Sequence, residues 1–162
     1  MTTPAIDPKT DLVLERVVDV SPNLVWRAWT EPEHLKKWFT PRPWETVDCR
    51  IDLRPGGEFY TAMRSPEGET MEGGSGCYLE IEKERKLVWT SALGPGYRPS
   101  VARVHDLFFT AWILMKPQGK GTKYTAIAKH PDEASAKRHA EMGFQDGWGA
   151  ALDQLVAYMK TV

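Results

Sequence analysis

Cysteine is scarce in this chain: Cys49 and Cys77 are the only two among 162 residues. Two thiols cannot build the disulfide framework of a small secreted domain, so a reducing cytoplasm is the expected setting. Long apolar runs are missing as well. The longest, Leu107 to Met115, is interrupted by Thr110 and falls far short of the roughly 20 residues that span a membrane. No basic stretch followed by an apolar one opens the chain, which speaks against a secretory leader. Charge of one sign is not in excess either, with 21 Lys and Arg against 22 Asp and Glu. That balance offers no general attraction to nucleic acid or to an anionic lipid surface.

Motifs for group transfer or metal binding are equally thin. Gly73-Gly74-Ser75-Gly76-Cys77 nearly matches a nucleophile elbow, but Cys77 stands where the last glycine belongs and no strand-to-helix turn follows. Gly94-Pro95-Gly96 and Gly119-Lys120-Gly121-Thr122 complete no phosphate loop and open no helix, so they read as turns. The histidines stand at 34, 105, 130 and 139, none of them at the i, i+4 spacing of metal ligands, and the cysteines lack a C-x-x-C. His139 and Glu141 are two apart on a helix and face different ways. The residues therefore suggest no catalytic group, no metal and no cofactor.

What is present is an apolar share of 41% with 27% charged residues, the make-up of a folded domain. Residues 1–10 have no periodicity and read as a flexible tail, with 11–162 as one domain. Leu12, Leu14, Val18 and Val20 form a first strand. Ser21-Pro22 supplies a helix cap and a first-turn proline, and Glu31-Pro32 restarts a second short helix that holds Leu35 and precedes Trp38 and Phe39. From Val47 the period becomes two: Val47, Cys49, Ile51 and Leu53 alternate with Asp48, Arg50, Asp52 and Arg54. Further strands are expected over 58–64, 70–82, 86–92, 101–115 and 122–130, joined by turns too short for parallel crossovers. In that meander Cys49 and Cys77 fall two strands apart, roughly 9–10 Å and beyond disulfide reach, so both should be free and buried. After Pro131, capped by Asp132, a helical period returns for about 28 residues, roughly 42 Å. Gly143, Gly147 and Gly149 inside it suggest a kink or a face lying close to other backbone. The order is that of an α+β domain, one curved seven-stranded antiparallel sheet covered by a long C-terminal helix, with two short helices after strand 1.

The chain carries seven Trp, more than its five Phe or five Tyr. The candidates to border the space under the long helix are Trp29, Trp38, Phe59, Tyr78, Trp89, Phe109, Trp112, Met142, Phe144 and Trp148, joined by His105 at the head of the most apolar strand. Leu93 to Ser100, with Tyr97 and Arg98, is long for a hairpin and could equally be a simple loop or a lid over a pocket mouth, which would make Tyr97 a further candidate.

Five segments in this order and spacing resemble a known family. They are Val25-Trp26-Arg27-Ala28-Trp29-Thr30-Glu31-Pro32-Glu33-His34-Leu35 with Trp38, then Asp52-Leu53-Arg54-Pro55-Gly56-Gly57, then Gly76-Cys77-Tyr78-Leu79-Glu80-Ile81, then Leu87-Val88-Trp89-Thr90, and Gly147-Trp148 with Leu152 to Leu155. The chain resembles, from about Leu12 to Met159, the helix-grip (START-like, SRPBCC) superfamily, and within it the homologues of the activator of the heat-shock protein 90 ATPase. The resemblance implies a sheet gripping the last helix, often around a pocket for a hydrophobic small molecule, and it does not fix an activity. Three readings follow. One is a binding module for an apolar or aromatic molecule. Another is a cyclase- or hydrolase-like enzyme, needing a polar group such as Tyr78, Arg103, His105 or Asp106 inside. The third is a co-chaperone-like interaction domain, against which stands the absence of the separate N-terminal domain of the eukaryotic activator. A homodimer through a sheet edge or helix stays open.

Overall fold

The computed structural model describes residues 3–101 and 106–162. Its elements are β1 (Asp11–Val18), α1 (Pro22–Thr30), α2 (Pro32–Leu35), β2 (Glu45–Ile51), β3 (Glu58–Arg64), β4 (Thr70–Glu72), β5 (Gly76–Glu82), β6 (Lys86–Thr90), the short pair β7 (Leu93–Gly94) and β8 (Arg98–Pro99), β9 (Thr110–Gln118), β10 (Gly121–Lys129), α3 (Glu133–Glu141) and α4 (Phe144–Met159). The main sheet is antiparallel in the order β1-β10-β9-β6-β5-β3-β2, with β4 added on β3 as an eighth strand. It curls around α4, and the helices α1 and α2 close the same side.

Local chemistry explains the start of the chain. Ser21 caps α1, its Oγ accepting from Leu24 N, and Pro22 occupies the first turn, where no amide donor is needed. Glu31 is extended because Pro32 follows it, so it ends α1 and opens α2 at once. The indole of Trp38 then donates to Ala28 O at 3.0 Å and pins the two helices together. On β10 the residues Tyr124, Ala126 and Ala128 point inward, as do Ala111, Ile113 and Met115 on β9, each buried against α4 or α1.

Four sequence expectations need correcting. The single long C-terminal helix is two helices, because Gly143 takes φ +97°, a left-handed conformation that no helix continues through. The strand expected over 70–82 splits into β4 and β5. The one expected over 101–115 begins at Thr110, and residues 102–105 of it lie outside the described residues. Cys77 is buried as expected, but Cys49, on the edge strand β2, is only half-buried; both are free.

The glycines of the last helices have three separate roles. Gly143 makes the break. Gly149 lies under the Arg16 guanidinium, where an added Cβ would stand 2.5 Å from a guanidinium nitrogen and would push Arg16 off Asp153, its partner at 3.0 Å. Gly147 faces open space, with nothing within 4 Å of an added Cβ. Among the described residues no helix is long and apolar enough to cross a membrane.

Candidate functional site

Between the sheet and α4 lies a cleft of about 520 Å³. Its helix side sets the small residues Gly143, Gly147 and Ala151, one turn apart, beside Phe144, Trp148 and Leu152, so α4 leaves volume unfilled along the small-residue row. Its other walls are rings. Trp29 packs edge-on to Trp38 at 4.9 Å and to Phe39 at 5.7 Å, and Phe59 packs edge-on to Trp89 at 4.9 Å. Trp89 leads to Phe109 at 5.6 Å, and Phe109 to Trp148 at 5.9 Å. Edge-to-face contacts of this kind hold rigid rings in place without closing the space between them. Met63 and Met142, both exposed, stand among the lining residues.

Eight of the sequence candidates line this cleft: Trp29, Trp38, Phe59, Trp89, Phe109, Met142, Phe144 and Trp148. Three do not. Trp112 follows Ala111 and precedes Ile113, both inward, so it points to the outer face of the sheet, where Lys86 Nζ sits 5.7 Å from its ring. Tyr78 is fully buried behind Phe59, at a register shift between Tyr78 and Glu80 that breaks simple alternation. Tyr97 is half-exposed and its ring covers Gly56, while Gly96 N donates to Gly56 O at 2.8 Å. The segment Leu93 to Ser100 is thus a short ribbon seated on the Pro55–Gly57 turn, and it contributes no lining residue. His105 and Arg103 lie outside the described residues. Asp106 borders a second, more polar recess of about 610 Å³ with Arg50, Tyr60 and Ser75.

Sequence reasoning missed Phe39, Tyr124 and His139, which also line the cleft. Tyr124 was legible from the alternation Tyr124, Ala126, Ala128 on β10. Its hydroxyl accepts from Trp29 Nε1 at 3.2 Å, and burial holds that hydroxyl well above the usual tyrosine range. His139 was not legible, since its partner is His130, at 2.9 Å between Nδ1 and Nε2. Among the described residues no group of three or more His, Cys, Asp or Glu is placed to hold a metal ion. No Asp, Glu, Lys or Arg lines the cleft among the described residues, so its chemistry is apolar with a few neutral polar atoms.

The Tyr78 hydroxyl is buried with no hydrogen-bond partner among the described residues, and burial raises its pKa far above the ordinary value. An unpartnered buried hydroxyl costs free energy, so Tyr78→Phe should leave stability unchanged or raise it by about 1 kcal/mol in urea denaturation. A loss of more than about 1 kcal/mol would show that the hydroxyl has a partner after all.

The fold recurs in known structures. A Nitrosomonas europaea protein, solved by X-ray crystallography, shares 51% identity with this chain, covers 96% of it and 97% of itself, and superposes with a TM-score of 0.91. A Rhodobacter sphaeroides protein at 18% identity covers 98% and 97% with a TM-score of 0.80. An AHSA1-like protein from Aeromonas hydrophila, solved by NMR, covers 93% and 92% at 20% identity with a TM-score of 0.71. The last two likenesses speak for the fold alone. No curated protein matches the chain. The model of the family described as Activator of Hsp90 ATPase homolog 1-like protein matches residues 19–160, from the end of β1 to the last turn of α4. With that span matched and a relative of half-identical sequence in the same fold, the chain belongs to the Activator of Hsp90 ATPase homolog 1-like protein family.

Proposed function

We propose that this protein binds a flat, largely apolar small molecule in the cleft between its sheet and α4. The observation that carries the reading is the pairing of unfilled volume with rigid aromatic walls. A space of about 520 Å³ falls inside the roughly 300–1,000 Å³ range of small-molecule sites. A core that existed only for stability would fill such a space, because each unfilled methylene-sized gap costs packing energy. Here α4 presents Gly147, where an added Cβ meets no neighbour within 4 Å, and one turn on the small Ala151. The rings opposite supply dispersion contacts and stacking faces.

The test is a titration with a neutral hydrophobic fluorophore, following its emission and the quenching of the cleft tryptophans. One equivalent should bind, with a blue shift of the probe and quenching of protein emission. An unchanged probe spectrum at saturating protein would sink the reading.

A further inference from the structure

His139, which lines the cleft, is bonded to a second histidine, His130, and the backbone sets the protonation pattern of the pair. His130 follows β10 and His139 lies in α3. Nδ1 of His130 stands 2.8 Å from Thr10 O. A carbonyl oxygen only accepts, so His130 carries its proton on Nδ1, and as a neutral ring it must accept at Nε2. The group 2.9 Å from that Nε2 is Nδ1 of His139, which must therefore donate. A neutral His139 then has a bare lone pair on its own Nε2.

That nitrogen has no hydrogen-bond partner among the described residues, and it is not one of the sealed polar atoms, which are the Tyr78 hydroxyl and Trp89 Nε1. Its ring lines the cleft, walled by Phe109 at 4.9 Å, Phe144 at 5.2 Å and Trp148 at 6.0 Å. Burial among these rings, with lesser contributions from His130 and Arg138, pushes the His139 pKa down to about 4, so the acceptor stays uncharged near neutral pH. A carboxylate at this place would face a lone pair and lose its hydration, with no cation among the described lining residues to offset it. A hydroxyl or N–H would find an acceptor that no group among the described residues occupies.

We propose that the cleft selects neutral aromatic molecules bearing a hydroxyl or N–H donor, which they give to His139 Nε2, over hydrocarbons and carboxylates of the same shape. This rests on the binding reading above, and the experiment separates the two. Calorimetric titrations at neutral pH compare naphthalene, naphthol and naphthoate on the parent protein and on His139→Asn. The Asn amide nitrogen takes the place of Nδ1 and keeps the bond to His130 while deleting the Nε2 acceptor. Naphthol should bind about tenfold more tightly than naphthalene, the worth of one buried hydrogen bond, with naphthoate weakest. In His139→Asn the ratio of naphthol to naphthalene affinity should shrink to about threefold or less, a ratio that a uniform loss of ring contact does not change. Long-range nitrogen–proton NMR of the histidine rings in the parent protein needs no variant. It should find Nε2 of His139 unprotonated and shifted by naphthol alone. A protonated Nε2, naphthalene binding as tightly as naphthol, or naphthoate binding most tightly would overturn the donor selection and leave the cleft as a binding site. Failure of all three probes to bind would overturn both.

Discussion

Gly147→Leu is expected to weaken binding of a neutral fluorophore by at least about tenfold while leaving the protein as stable as the parent or more so. The two halves of that result have different causes. Gly147 sits inside α4, where glycine is worse than a typical helix former by roughly 1 kcal/mol, so leucine favours the helix. An added Cβ meets nothing within 4 Å, so no backbone or neighbouring ring has to move. The new side chain projects into the cleft, beside Ala151 and across from the rings, and occupies volume that a ligand needs. Thermal denaturation should give a Tm equal to the parent's or about 2–4 °C higher. A variant that binds the fluorophore as well as the parent would place the ligand elsewhere. One that is destabilised by more than about 2 kcal/mol would mean that the space is smaller than it looks, since overpacking has that signature.

A second large effect is expected with acid. His139 has an ordinary pKa of 6.5 and is held near 4 in the folded protein, by burial first and then by His130 and Arg138. Between those values the unfolded chain binds a proton that the folded one refuses. Stability therefore rises with pH across this window. The contribution is fully present above about pH 6.5, is lost as the pH falls toward about 4, and changes no further below that. The groups that bear on the ring are His130, bonded to it, Arg138 beside it, and Asp132, which acts on His130. The total is on the order of 3 kcal/mol, with a slope of up to about 1.4 kcal/mol per pH unit. Glu58, held below the usual carboxylate range by Arg50 and Ser75, loses its contribution only at still lower pH. Urea denaturation at a series of pH values should show this slope in the parent and a flattened one in His139→Asn. An equal slope in both proteins would assign the acid sensitivity to other groups.

Much of the frame is legible in the sequence because short-range chemistry decides it. Ser21-Pro22 and Glu31-Pro32 each impose a helix boundary whatever the rest of the chain does. Alternation along β9 turns Ala111 and Ile113 inward and Trp112 outward, so Trp112 could have been excluded once Ala111 and Ile113 were placed. Other features are set by contacts distant in sequence. The shift at Tyr78 arises where β5 meets β6 with one residue too many. Gly143 stops the helix by redirecting the chain between α3 and α4, both of which pack against β1, and its left-handed backbone permits that turn. The His130–His139 pair joins a strand end to a helix across nine positions, a separation that fits no ligand motif and becomes visible only when His130 is folded onto Thr10 and His139 onto His130. The cleft is of the same kind. The list of rings could name its walls, but the emptiness between them depends on where Gly147 and Ala151 come to rest.

The most direct test of the central claim is the mass of the protein, native against denatured, first as purified from cells and then after incubation with a neutral aromatic probe such as naphthol. A binding protein should carry an extra mass that is lost on denaturation, a few hundred daltons for a cellular ligand or the mass of one probe molecule. A bare 18.4 kDa chain in both preparations would contradict the account.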